Sequence, residues 1–296
     1  MGMEKQEEGG GGPWFDLPED QFQRRAAAYG NTPELVAAAT EFREKGYLIR
    51  DFGFSDADLA EAAAFTKRSQ AGRVQDGWLA NAAVRRLATN SGVMEFLNKL
   101  YCRRVIPFQT LNFARGTQQS VHSDTMHFNS APVGFMCGVW IALEDIDPAS
   151  GPLVYYPGSQ RLPVFGGKDL KGGDYGSAYV PLAGRTVAES GIAAETAPIR
   201  QGEAFIWAAK LFHGGSPVTD PSKTRLSQVT HYYFGGCSYF TPLASDEAAG
   251  RVFWREPYDI ARSRFVRNAD PQAKPGLKYR IGQRLKIWMG RPHEGD

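Results

Sequence analysis

The chain has 296 residues, 42% hydrophobic and 22% charged, enough to bury a substantial core and ordinary for a globular protein. A net charge of +2 makes no case for nucleic acid, and no apolar run reaches the length of a transmembrane segment. Cys102, Cys137 and Cys237 are scattered without metal-ligand spacing, which fits reduced thiols in a cytoplasmic protein.

Met1 to Pro13 is polar and Gly-rich with no apolar signal core, and a disordered tail is expected over residues 1–15. Gln6 stands where a myristoylation motif wants Ser or Thr. Glu19 to Tyr29 is moderately helical. Thr32-Pro33-Glu34 starts a clear helix through Lys45, with Thr as cap, Pro at the first helical position and Gly46 as stop. Tyr47 to Arg50 reads as a short strand. Ser55 to Asp58 reads as a loose capping box before an Ala-rich helix to about Arg68. Asn90 to Leu100 forms another helix, with Val93, Phe96, Leu97 and Leu100 on one face.

From Ile106 the texture changes to short β segments between Gly and Pro. Pro107 to Phe113, Phe135 to Leu143, Pro152 to Tyr156, Ala204 to Trp207 and Leu226 to Phe234 are the main runs, as in an antiparallel sandwich or barrel. Gly158 to Gly191 holds eight glycines with little periodicity and reads as a lid or disordered insert. Helices first and a β-rich body after predict an α+β fold, mainly β in its core, with one domain over 16–296. Within it, 16–105 is a helical N-terminal part, 106–234 the β core with insert 158–191, and 235–296 a C-terminal extension. From Arg251 to Asp296 that extension carries 11 Lys or Arg against 5 Asp or Glu. Solvation or pairing with acidic groups is the expected fate of this charge, and an anion-facing surface the rival. Leu285, Ile287, Trp288 and Met289 form an apolar cluster suited to docking on the body or on a partner.

His122-Ser123-Asp124 and the remote His213 carry the chemistry. On an extended segment, residues i and i+2 project to one side, so His122 and Asp124 can grip one ion while Ser123 points away. Two His and one carboxylate on a triangular face leave positions open on an octahedral metal, which suits non-haem Fe(II) and O2; tetrahedral zinc is the rival. Arg225, twelve residues after His213, points to a co-substrate. 2-Oxoglutarate chelates iron through its 2-oxo acid end, and its C5 carboxylate needs a planar bidentate partner such as guanidinium. Thr110 and Asn112 share one face of their strand, and Gln109, Leu111 and Phe113 the other. One set lines the pocket and the other packs outward, making Asn112, Gln109 and Thr110 candidate co-substrate contacts. His127 can meet substrate, and His231 shares parity with Arg225. Trp140 and Phe128 are read as packing.

These residues resemble a known family. Gly46 to Phe52 before a capped helix, His122-x-Asp124, Trp140 to Asp145, and Gly151-Pro152-Leu153 leading to Pro157-Gly158-Ser159 look like the phytanoyl-CoA dioxygenase family, and His213 with Arg225 completes the pattern. The resemblance covers roughly residues 47–234. It implies a double-stranded β-helix (jelly-roll, cupin-like) dioxygenase that uses Fe(II), 2-oxoglutarate and O2 on a small-molecule substrate. The chain departs from the family in Gln160, where a His is common. It also departs in a His-to-Arg spacing one residue longer than usual, which a turn after Gly214 absorbs. With that turn, Ser216 takes the position of a hydroxyl that assists the co-substrate carboxylate. Halogenating relatives replace the metal carboxylate with a small residue; Asp124 favours oxygen insertion. Hydroxylation is the leading reaction, with desaturation, epoxidation and cyclisation as variants. A cupin metalloenzyme without 2-oxoglutarate and a non-catalytic jelly-roll binding protein are the rivals.

Overall fold

The computed structural model of the protein describes residues 11–28, 32–69, 72–196, 198–246 and 249–294. The chain opens with α1 (Glu19–Ala28), α2 (Pro33–Lys45), β1 (Tyr47–Asp51) and α3 (Asp56–Lys67), then β2 (Arg73–Gln75), α4 (Ala82–Ala88), α5 (Ser91–Tyr101) and β3 (Val105–Phe113). The middle holds β4 (Asn129–Ala131), β5 (Met136–Ala142), β6 (Leu153–Tyr155), α6 (Val180–Ser190), β7 (Glu195–Thr196), β8 (Glu203–Ala208), β9 (His213–Gly215) and β10 (Ser227–Phe234). β11 (Ser238–Phe240), β12 (Tyr258–Asp259), β13 (Arg264–Phe265), α7 (Leu277–Met289) and β14 (His293–Glu294) follow.

One seven-stranded antiparallel sheet, in the order β1-β8-β5-β10-β3-β2-β14, packs against a smaller one ordered β7-β6-β9. This is a double-stranded β-helix with the N-terminal helices α1 to α5 on the outer face of the large sheet. Strand alternation divides the side chains. Val139, Ile141, Ile206 and Tyr232 face the helical layer with Leu97 and Val84. Trp140, Phe205, Trp207 and Val229 face inward against Leu153 and Tyr155 of the smaller sheet. The site sits at one end of that inner layer.

Local signals explain the helix boundaries. Thr32 Oγ1 accepts from Leu35 N, Pro33 opens α2, and Gly46 ends it at φ 79°. A side chain at Gly46 would collide with Gln160, whose amide donates to Arg43 O at 2.9 Å and Glu44 O at 3.3 Å. Gln160 therefore helps cap α2. Ser55 precedes α3 but makes no side-chain cap bond, so the expected capping box does not form there.

Two further expectations are corrected. The tail does not run to residue 15: Trp14 and Phe15 are buried, and Trp14 Nε1 donates to Leu100 O at 2.7 Å. Residues 1–10 lie outside the described residues. The insert 158–191 is mostly helical rather than an aperiodic loop. A π-type turn at Tyr175–Tyr179 runs into α6, and Tyr179, Ala183 and Val187 recur every fourth residue. That stripe packs with Leu170, Met126 and Phe212 in a cluster of its own, which orders the segment despite its glycines.

Candidate metal centre and its neighbouring cavity

His122 and His213 face each other across an isolated antiparallel bridge, each amide donating to the other's carbonyl at 2.9 Å. Asp124 opens a 3-10 turn rather than continuing a strand, yet Ser123 is extended, so the i, i+2 alternation operates locally. The bridge and turn bring ligand atoms of His122, Asp124 and His213 within 4.8 Å of one another, all buried. The Nε2 atoms of His122 and His213 lie 3.9 and 3.8 Å from the same oxygen, Asp124 Oδ1.

The histidines are held in one tautomer. His122 Nδ1 lies 2.9 Å from Ser120 O, and His213 Nδ1 lies 3.0 Å from Leu211 O. A carbonyl only accepts, so each Nδ1 carries the proton and each Nε2 keeps its lone pair for the shared space. Burial, with the neighbouring His213, pushes His122 down to about 3, and burial pushes His231 down to about 4. Burial alone would raise the Asp124 carboxyl, and the hydrogen bond from Trp207 works against that by favouring the carboxylate. Asp124 is 5% exposed, and among the described residues its ion-pair neighbours are histidines, with no Lys or Arg. A buried carboxylate facing two imidazole lone pairs and lacking a protein cation fits a divalent metal ion.

Surrounding groups orient these three. Trp207 Nε1 donates to Asp124 Oδ2 at 2.7 Å, leaving Oδ1 to the centre. The indole fits because Gly138, its register partner in β5, has no side chain; a Cβ there would lie 2.3 Å from the ring. Tyr179, from the insert, accepts from Ser123 N at 2.8 Å and bonds its hydroxyl at 3.0 Å, pinning the residue between His122 and Asp124. His231 stands 3.7 Å from Asp124 Oδ2, and its Nδ1 meets Gln109 Oε1 at 3.1 Å. The His127 ring lies 4.8 Å from that of Tyr175 of the insert, tilted against it.

A cavity of about 50 Å3 lies beside the imidazoles, lined by Thr117, Gln119, Trp140, Trp207 and Arg225 among others. Arg225 is 3% exposed and has no carboxylate partner among the described residues. Its Nη2 reaches Arg115 O at 3.4 Å, while its Nε and the Trp140 Nε1 are buried donors without acceptors. Burial pushes Arg225 down to about 10, so it remains a cation at neutral pH. A buried cation with spare donors on two side chains fits a carboxylate-bearing ligand. Trp140, read from sequence as packing, thus also lines this cavity.

The other expected contacts fall elsewhere. Asn112 faces the helices, donating to Thr66 Oγ1 at 3.2 Å and Gln228 Oε1 at 3.4 Å. Thr110 shares that outward face, beside Asp76. Gln109 is on the inner face but touches His231 rather than the cavity. Ser216 is half-buried after β9 and does not line the cavity with Arg225. Sequence reasoning missed Trp207, Tyr179, Thr117 and Gln119. The four-residue spacing of Tyr179, Ala183 and Val187 was the available signal for the insert; nothing local marked Trp207.

Comparison with known proteins gives this arrangement a class, that of non-haem iron oxygenases dependent on 2-oxoglutarate. Residues 20–225 match the family described as Phytanoyl-CoA dioxygenase (PhyH), and the chain belongs to that family. A comparison with curated proteins finds no match. Among solved structures, the chain is similar to the non-haem α-ketoglutarate-dependent carbocyclase SnoK from nogalamycin biosynthesis, at 16% identity and TM-score 0.59, over 77% of this chain and 93% of that one. It is similar to the epimerase SnoN from the same biosynthesis at 21% identity and TM-score 0.56, over 71% and 86%. EctD from S. alaskensis, solved with 2-oxoglutarate and 5-hydroxyectoine, aligns at 16% identity and TM-score 0.56, over 81% and 87%. At these identities the likeness shows a shared fold.

Proposed function

We propose that His122, Asp124 and His213 hold one Fe(II), and that Arg225 and Trp140 receive the C5 carboxylate of 2-oxoglutarate beside it. On this reading the protein hydroxylates an unactivated C–H bond of a small molecule. The observation that carries the reading is a complementary pair of buried charges: Asp124 without a protein cation beside His122 and His213, and Arg225 without a protein anion in the small cavity that those two histidines also line. Iron, when bound, supplies O2 activation coupled to decarboxylation of 2-oxoglutarate to succinate and CO2.

The chain's own residues supply placement. The bonds from Nδ1 to Ser120 O and Leu211 O aim both imidazoles, and Trp207 fixes the carboxylate rotamer. Thr117, Gln119 and Phe113 line both the small cavity and a wider one of about 420 Å3 beyond it, a route for substrate. The insert acts as a fixed wall that limits water near the centre, with Tyr179 seated on Ser123 and Tyr175 within 3.3 Å of Gln119. Asp124 occupies the carboxylate position, which favours oxygen insertion over chlorination. The epimerase and carbocyclase among the structural neighbours favour a second reading, in which the same site performs cyclisation or another oxidation.

Anaerobic loading with Fe(II), then succinate release from 2-oxoglutarate on admission of O2, tests the class. Metal uptake without 2-oxoglutarate turnover or binding would identify a cupin-type metalloenzyme instead. Neither metal uptake nor 2-oxoglutarate binding would leave a non-catalytic jelly roll.

A further inference from the structure

Helix α7 is amphipathic in the reverse sense. Its polar side chains turn toward the body: Arg280 and Arg284 reach Glu256 at 3.5 and 2.7 Å, and Lys286 bonds Asp76 at 2.5 Å. Its apolar side chains turn to solvent, with Leu277 71%, Ile281 50%, Leu285 50%, Trp288 82% and Met289 53% exposed. These residues recur at helical spacing and form one face. Only Ile287 of the helix packs against the main core.

We propose that this face is a self-association surface, on which α7 of a second copy packs antiparallel about a two-fold axis. The area is sufficient. Side chains of this size and exposure present on the order of 600 Å2 of apolar surface, at the top of the range for a monomer's largest patch. Doubled across a two-fold axis, that reaches roughly the 1,200 Å2 at which specific interfaces begin.

Charge selects a protein over a lipid surface. A membrane-surface helix flanks its apolar face with free cations, whereas here Arg280, Arg284 and Lys286 are committed inward to Glu256 and Asp76. On the outward side, Lys278 is the cation within the helix. It sits in the first turn, next to the positive end of its own helix dipole. Antiparallel pairing places it against the negative, C-terminal end of the partner's helix, turning an unfavourable position into a favourable one.

Gly282 points the same way. It is exposed at mid-helix, where Gly weakens a helix, and a Cβ built on it meets nothing within 4 Å. The fold of one chain gives no reason for it. A second helix crossing close to its backbone does.

Sedimentation equilibrium of the full chain from low to high micromolar concentration tests the proposal, with Ile281→Glu and Gly282→Leu alongside. The wild type is expected to dimerise. Ile281→Glu should weaken association ~100-fold or more by burying an unpaired charge. Gly282→Leu should also weaken association while leaving the thermal midpoint of the monomer unchanged or raised, which separates lost contact from misfolding. A wild type that stays monomeric overturns the proposal, as does a dimer indifferent to both substitutions. Monomer that instead floats with phosphatidylserine vesicles would assign the face to lipid. None of these readouts depends on iron or 2-oxoglutarate.

Discussion

Trp207 Nε1 donates to Asp124 Oδ2 at 2.7 Å, joining residues 83 positions apart and leaving one carboxylate oxygen to face both imidazoles. Trp207→Phe should keep most of the packing and lose the donor. Iron affinity is expected to fall ~10- to 100-fold, the usual cost of removing an outer partner of a metal ligand. Titration with Fe(II), followed by ligand-field absorption, measures it. Gly138→Val, which touches no ligand, should produce the same loss by displacing the indole. Unchanged affinity in both variants would show that Trp207 does not position Asp124.

Removing a ligand should be more severe. Asp124→Ala and His213→Ala are each expected to purify with little iron and to lose nearly all succinate formation. Iron content by mass spectrometry, read beside a circular dichroism spectrum, distinguishes this from unfolding. Normal iron content in Asp124→Ala would remove that residue from the centre.

Arg225→Ala deletes the guanidinium proposed to meet the co-substrate. A lost charge-assisted pair of this kind costs about 2–5 kcal/mol, so half-saturation by 2-oxoglutarate should rise roughly 30-fold or more. Arg225→Lys should recover part of it, because ammonium lacks the planar fork. Trp140→Phe should give a smaller rise, about 3- to 10-fold, the cost of one neutral hydrogen bond. A flat response across all three variants would place the acid end of 2-oxoglutarate elsewhere.

The insert is tied to the centre through Tyr179. Tyr179→Phe removes the hydroxyl that bonds Ser123 and should cost about 1–3 kcal/mol of stability, because it leaves buried partners unsatisfied. Hydrogen exchange should show α6 protected even without ligand and opened in the variant. Fast exchange of α6 in the wild type would instead mean an insert that closes only on binding.

Trp14 is the remaining case. Trp14→Ala should destabilise the fold by about 3–5 kcal/mol, since it removes a buried aromatic and orphans Leu100 O. Urea denaturation reads this directly. A loss below one kcal/mol would mean that residues 11–16 are dispensable to the core.

Several parts of this molecule were legible without coordinates because their causes are local. Thr32, Pro33 and Gly46 bound α2 through cap geometry that depends only on neighbouring residues. The strands β3, β5, β8 and β10 announce themselves through aromatic and β-branched runs between turn residues. His122 and Asp124 stand two apart, and extended backbone makes that spacing a same-side pair whatever the rest of the chain does.

Other parts depend on which elements become neighbours, and a sequence without coordinates does not state that. Asn112 and Gln109 alternate along one strand, but only the placement of α3 and α4 on one side decides which faces the helices and which faces His231. Trp207 reaches Asp124 because β8 pairs with β5 in a register that sets Gly138 opposite it, a long-range fact with no local mark. The insert's glycines suggested a loop, and the weaker stripe of Tyr179, Ala183 and Val187 prevailed because Met126 and Phe212 cover it. Propensity is a small preference per residue, and burial of a matching face outweighs it once the tertiary structure supplies the partner surface.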